Sequence, residues 1–177
     1  MKIQIQDTSS YQITTKNNTI ALYPKEAVKT EKAAVILSDT DQSSDTFVSY
    51  TPGEYELSGD MIQGIAGNDN STVIYRLQAE GMVVAFLGNQ KEKLTADQLD
   101  TLGNIDILFL PLLEDIKISL HILEQIEPRM IIPVGDQNSL SVFLESYKAS
   151  YDEPSSSVSI SESKLPIDNT KLVILKK

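Results

Sequence analysis

Apolar and polar residues alternate along the first part of the chain. Ile3 and Ile5, Tyr11 and Ile13, and Ile20 and Leu22 recur at every second position. That spacing places side chains on one face of a sheet. Asn17-Asn18 separates two of these runs, and because Asn tolerates positive φ it predicts a tight hairpin turn. Ala33-Ala34-Val35-Ile36-Leu37 is a continuous apolar run, as expected of a strand buried on both faces. Pro52-Gly53 predicts a turn in which Pro presets φ and Gly accepts a positive one. Strand patterns follow at Glu54–Leu57, Met61–Ile65, Val73–Leu77 and Met82–Leu87, with Gly81 turning between the last two.

The second half changes period. Thr95 with Gln98 forms a capping-box pattern, and Gly103 predicts a left-handed cap ending a short helix. Ile105–Leu110 and Met130–Val134 read as buried strands. Between them Asp115 predicts the cap of a helix reaching Glu127, where Pro128 forbids continuation. Ile116, Leu120, Leu123 and Ile126 fall on one face of that helix. Leu140, Phe143, Leu144 and Tyr147 recur at helical spacing and predict a third helix. Asp152–Ser157 reads as a polar loop, and Val158–Ser161 and Lys171–Leu175 as closing strands. Strand-rich first half and alternating second half together predict an α/β or α+β fold with layered sheets and helices.

Length narrows this further. With 177 residues, one domain spanning 1–177 is expected, large enough to bury roughly 70% of its unfolded surface. No apolar run approaches the ~20 residues of a membrane span. The alternating N-terminus lacks the apolar centre of a signal peptide, so a cytoplasmic protein without membrane association is expected. The net charge of −10 disfavours nucleic acid and anionic membranes, both of which require basic surface. The chain has no Cys and one His. That excludes disulfides, a thiol nucleophile, thiolate metal sites and any multi-histidine zinc site within one chain.

Thr51-Pro52-Gly53-Glu54-Tyr55-Glu56-Leu57 resembles the Pro-Gly-Glu-Tyr-Glu segment of metallo-β-lactamase-fold hydrolases of the ascorbate-6-phosphate-lactonase-like branch. The surroundings match in order. Ile5–Tyr11 stands where the family has a strand and a His-Ser turn, and Tyr23-Pro24 where it has Asp-Pro. The strand Ala34–Leu37 leads into Ser38–Ser44, where the family carries His-x-His-x-Asp-His. Phe86-Leu87-Gly88-Asn89 matches His-Leu-Gly-Asp. Leu94-Thr95, Leu99, Leu102-Gly103, Asp106, Leu108 and Pro111 match a further collinear set, and Ile132-Pro133-Val134-Gly135 matches Ile-Pro-x-His. The resemblance covers nearly the whole chain. It implies a four-layer αβ/βα sandwich: two mixed sheets face to face, helices outside, and a metal site at one rim.

The departures fall on the chemistry. In the family, imidazoles and carboxylates hold metal that acidifies a water. On this alignment the ligand positions carry Thr8, Asp39, Asp41, Ser43, Ser44, Phe86, Asn89 and Gly135. The single His121 lies in the middle of the second helix, pointing away from its apolar stripe, and matches no ligand position. No catalytic residue and no zinc are therefore expected, and the resemblance implies a pseudoenzyme acting by binding or assembly, with a protein partner or with copies of itself.

Other constellations are weaker. Asp39, Asp41 and Asp45, with Asn89 and Asp136 brought nearby by such a fold, offer oxygen ligands for a hard divalent cation. This leaves open an alternative, a carboxylate-site Mg²⁺, Ca²⁺ or Mn²⁺ protein or weak metal-dependent hydrolase. The balance lies with solvated loop carboxylates in an acidic chain. The hydroxyls of Thr8, Ser9, Ser10, Ser38, Ser43 and Ser44 have no base beside them and read as turn and cap residues. Glu54 and Glu56 share a strand face, and the plain expectation is an exposed face or a turn anchored by Glu54. A hydrolase completed by a neighbouring copy has little to draw on, since a copy lends only another His121.

Overall fold

In the computed structural model, residues 1–7, 10–23, 34–38, 47–69 and 71–177 are described, those at 34–36 by backbone alone. The chain begins with the strands β1 (Lys2–Asp7), β2 (Ser10–Thr14), β3 (Thr19–Leu22), β4 (Ala34–Leu37) and β5 (Phe47–Ser49). Next come β6 (Gly53–Leu57), β7 (Asp60–Ala66), β8 (Val73–Ala79) and β9 (Met82–Phe86). Helix α1 (Ala96–Leu102), strand β10 (Ile107–Pro111), helix α2 (Ile116–Ile126), strand β11 (Met130–Val134) and helix α3 (Gln137–Tyr147) alternate after them. The short strands β12 (Ser157–Ser159) and β13 (Lys171–Leu172) close the chain, with a 3₁₀ turn at Glu162–Lys164 between them.

Two mixed sheets result. The first has the order β12-β1-β2-β3-β4-β5 and the second β13-β11-β10-β9-β8-β7-β6. In the second sheet β9, β10, β11 and β13 run parallel, joined by the crossover helices that parallel neighbours require. Period-2 alternation sorts the side chains into two cores. Ile3, Ile5, Tyr11, Ile13, Ile20 and Leu22 face Tyr75, Leu77, Val84, Phe86, Phe109 and Ile132 across the gap between the sheets. Residues one position away, Ile74, Ala85, Leu108, Leu110 and Ile131, face Leu102, Ile122, Leu123 and Phe143 of the helices. A strand covered on both faces reads as a continuous apolar run, which is why Ile107–Leu110 does. The described residues thus form three of the four expected layers, and all three α-helices pack on the second sheet.

The end of this sandwich formed by the N-termini of β10 and β11 is pinned by charge. Arg129 donates to Asp106 Oδ1 and to the carbonyls of Leu165 and Pro166, while Asp106 Oδ2 accepts from the Val83 N–H. The opposite end is tied by phenols. Tyr75 Oη lies within hydrogen-bond distance of the carbonyls of Ser38 and Ser49, and Tyr23 Oη donates to the Val73 carbonyl. Both contacts join the two sheets at the end where β3, β4 and β5 terminate.

Helix starts follow their predicted caps. Thr95 and Gln98 exchange side-chain and backbone bonds, and Gln98 Nε2 also donates to the Ala66 carbonyl of β7. Asp115 accepts from Lys117 N–H, and Glu127 ends α2 in the left-handed conformation just before Pro128.

Several expectations need correction. Gly103 has positive φ but ψ of −150°, so it is not a left-handed cap. The deepest face of α2 is Ser119, Ile122 and Leu123, shifted from the predicted stripe. A serine belongs there because its hydroxyl donates to the Pro111 carbonyl and accepts from the Leu113 N–H. Neither Asn17 nor Asn18 has positive φ. Thr15 makes that turn, its hydroxyl accepting from the N–H groups of both asparagines. The asparagine amides instead reach across to the carbonyls of Ser58 and Leu57 at the β6–β7 hairpin. Gly53 also lacks positive φ and opens β6. The positive angles sit one hairpin end further on, at Ser58-Gly59, and again at Glu80-Gly81. Both are two-residue turns with the twist that antiparallel strands prefer.

Candidate functional site

The rim predicted to carry the chemistry lies where β3, β9, β10 and β11 end and β2 begins. A cavity of about 160 Å³ opens there between the sheets. Tyr11, Leu22, Tyr23, Phe86, Phe109 and Val134 form its walls, with Gly88, Asn89 and Pro111 among its other lining residues. The alternation that builds the inter-sheet core also builds these walls, since every one of the apolar six projects inward from a strand or its first following residue.

The aromatic side chains pack on one another. Tyr11 meets Phe109 edge to face with ring centroids 5.0 Å apart, and Phe109 meets Phe86 at 4.5 Å. Burial pushes the Tyr11 hydroxyl up to a pKa of about 12. Tyr11 is only 4% exposed. Among the described residues, no group hydrogen-bonds its hydroxyl. Tyr23, by contrast, is anchored at every polar atom named so far: its N–H donates to Leu37, its carbonyl accepts from Ser10 Oγ, and its hydroxyl donates to Val73. It adopts φ of +46°, a left-handed conformation uncommon for a residue with a side chain.

A second cavity adjoins the first, with Tyr11 as a common wall. Asp7, Leu112, Gly135, Asp136, Leu140 and Lys177 line it. A β-carbon added to Gly135 would stand 3.0 Å from Leu112 Cβ and 3.4 Å from Ser139 Cβ, so a side chain there starts in tight contact. Asp136 caps α3 by accepting from the Ser139 N–H at 2.8 Å, and that hydrogen bond holds its carboxyl below the usual range.

The sequence-predicted residues therefore sort as follows. Thr8, Asp39, Asp41, Ser43, Ser44 and Asp45 lie outside the described residues. Phe86 and Asn89 line the first cavity, whereas Gly135 and Asp136 line the second. Asn89 and Asp136 thus line two adjoining cavities, and Tyr11 lines both. His121 is 42% exposed on α2 and sits 3.6 Å from Glu124. Glu54 and Glu56 lie on an exposed strand face, as one expectation had it; Glu56, not Glu54, anchors the turn by accepting from the Gly59 N–H, and Glu54 accepts from Gln63 across the hairpin.

These groups do not fit a zinc ion. Phe86 is 1% exposed and offers only a ring to the cavity, and zinc takes nitrogen, sulfur or carboxylate ligands. Among the described residues no group of three or more His, Asp or Glu is placed to hold a metal. What sequence reading missed is the apolar wall itself. Tyr11, Phe109 and Val134 were visible only as strand residues and Tyr23 only as half of the Tyr23-Pro24 match; their signal was that each inward position nearest the rim is large.

A family model described as a beta-lactamase superfamily domain matches residues 2–135, more than half of the chain, which therefore belongs to the metallo-β-lactamase superfamily. Among solved structures, a candidate zinc-dependent hydrolase of that superfamily from Thermotoga maritima shares 20% identity and a TM-score of 0.83. The match covers 99% of this chain and 100% of that one. A candidate metal-dependent hydrolase from Veillonella parvula shares 9% identity with a TM-score of 0.63, covering 90% and 98%. A metallo hydrolase from Ignicoccus hospitalis shares 13% with a TM-score of 0.57, covering 83% and 91%. At these identities the likeness is one of fold. No curated protein matches the chain.

Proposed function

We propose that this member of the metallo-β-lactamase superfamily is a metal-free pseudoenzyme that acts by binding or assembly at the rim where its relatives' fold places a metal. One observation carries the reading: Phe86, aligned with a metal-binding imidazole, is buried against Phe109 at a centroid distance of 4.5 Å. An aromatic ring packed this way contributes to the core and cannot coordinate. The hydrolytic mechanism needs a metal-bound hydroxide. No described group replaces the ligands, and the sole His121 stands on α2 beside Glu124.

The alternative, a hard-cation site, draws on residues outside the described part and on Asp136, whose carboxylate is engaged as a helix cap. Nothing in the described rim favours it. The net charge of −10 turns nucleic acids and anionic membranes away, which leaves a small molecule, a protein partner or a second copy as the bound species.

Elemental analysis of the purified native protein, paired with esterase, lactonase and phosphodiesterase assays, tests the reading. The expected result is substoichiometric metal and no turnover. Near-stoichiometric metal, or turnover abolished by a chelator, overturns it.

A further inference from the structure

We infer that the rim cavity is a binding site for a small, neutral, largely apolar molecule that carries one hydrogen-bond acceptor, received by the Tyr11 hydroxyl. The inference rests on the metal-free reading of the same rim and gives that reading a ligand class.

Four observations support it. The cavity of about 160 Å³ resembles in size an engineered apolar protein cavity of about 150 Å³ that takes up benzene. Its walls are aromatic and aliphatic, and none of the described residues lining it carries a charged side chain. Among these described residues a charged ligand meets no counter-ion to offset its lost hydration. Tyr11 is more than nine-tenths buried, yet no described residue hydrogen-bonds its hydroxyl. The hydroxyl therefore opens onto the cavity, and a ligand acceptor there gives it a partner in place of water. Phe86 and Phe109 are already packed at an angle to one another, so a planar ring meets preorganised faces rather than ones it must order.

The phenol also selects. As a neutral hydroxyl with its pKa raised by burial, it stays a donor throughout the physiological range. A carbonyl or ether oxygen is received. A carboxylate is disfavoured because no cation stands among the described lining residues, and a pure hydrocarbon leaves the hydroxyl unpaired.

Amide-resolved NMR titration of the full chain, with chelator present throughout, tests this. The probes are acetophenone, its near-isostere ethylbenzene, and benzoate. The expected result is saturable acetophenone shifts at residues of β2, β9, β10 and β11 around Tyr11, Phe86, Phe109 and Val134. Ethylbenzene should bind the same residues roughly five- to tenfold more weakly, and benzoate not at all. Tyr11→Phe, which keeps the ring, should abolish the preference for acetophenone while leaving ethylbenzene affinity unchanged. Val134→Phe, which fills the space from a half-buried position, should abolish binding of both while retaining a cooperative melt. Equal binding of acetophenone and ethylbenzene by the unmutated protein, saturable shifts elsewhere, or no saturable binding overturns the inference. Because the chelator removes any metal, failure here leaves the pseudoenzyme reading standing, and that reading fails separately on bound metal or chelator-sensitive turnover.

Discussion

The ring of Phe86 lies with its centroid 4.5 Å from that of Phe109, tilted by 37°, on two neighbouring parallel strands. The residue pair Phe109↔Phe86 is in register across β10 and β9, so the sheet itself fixes the contact. Position 86 therefore serves the core between the sheets.

Restoring an imidazole at that position should not restore a metal site. Phe86→His would remove ring contacts and bury an imidazole among Tyr11, Phe109 and Val134. We expect a loss of about 2–4 kcal/mol in urea unfolding, and no stoichiometric zinc by equilibrium dialysis, since one imidazole is too few ligands. Zinc binding with one ion per chain by the variant would show that the other ligands are in place after all.

Tyr11 should give the protein a distinctive alkaline limit. Its hydroxyl is held up at about 12 by burial, whereas an unfolded tyrosine ionises near 10. The folded chain keeps that proton while the unfolded chain loses it, so the stabilising contribution is complete below pH 10 and is lost as pH rises through about 12. In that window stability should fall by about 1.4 kcal/mol per pH unit from this group. Denaturant melts of Tyr11→Phe between pH 9 and 12 should show a shallower decline than the unmutated chain; parallel curves would refute the assignment.

At the far end of the sheet, Arg129 holds Asp106 and the carbonyls of Leu165 and Pro166 in one fan of donors. Truncation to Ala leaves Asp106 half-paired and two carbonyls unmet. A loss of about 2–3 kcal/mol is expected, and Arg129→Lys should recover little of it, since a single ammonium cannot serve three acceptors in a fixed fork. Chemical denaturation reads this. Acetophenone binding at the rim should be unchanged in the folded fraction.

Ser49 carries the opposite situation. Its hydroxyl is buried with no hydrogen-bond partner among the described residues, although its carbonyl accepts from Tyr75. Ser49→Ala should therefore stabilise the fold by about 1 kcal/mol, seen as a raised urea midpoint with an unchanged slope; a lowered midpoint would mean that the hydroxyl is satisfied.

Much of the architecture was legible because it rests on local rules. The alternation of Ile3, Ile5, Tyr11 and Ile13 marks β1 and β2, and Thr95 with Gln98 marks the start of α1 from four residues alone. Turns were less legible. Asn17-Asn18 looks like a left-handed turn, yet the Thr15 hydroxyl satisfies that backbone and frees the asparagines to bind the β6–β7 hairpin, a contact made 40 or so residues away in sequence. The α2 stripe was misplaced for a similar reason: the Pro111 carbonyl and Leu113 N–H make Ser119 at home on the buried face, and a hydropathy pattern cannot see those partners.

The amino-acid sequence alone determined the strand and helix order, the family resemblance and the absence of imidazoles at Phe86 and Gly135, because each depends on residue identity and short-range spacing. The tertiary structure alone decided what stands in place of that chemistry. Tyr11, Phe86, Phe109 and Val134 come from four strands, and only sheet register and the facing of two sheets bring them around one cavity. The same register puts Tyr11 in the lining of both adjoining cavities, the one with Asn89 and the one with Asp136. Proximity across sheets is a property of packing, which no local period encodes.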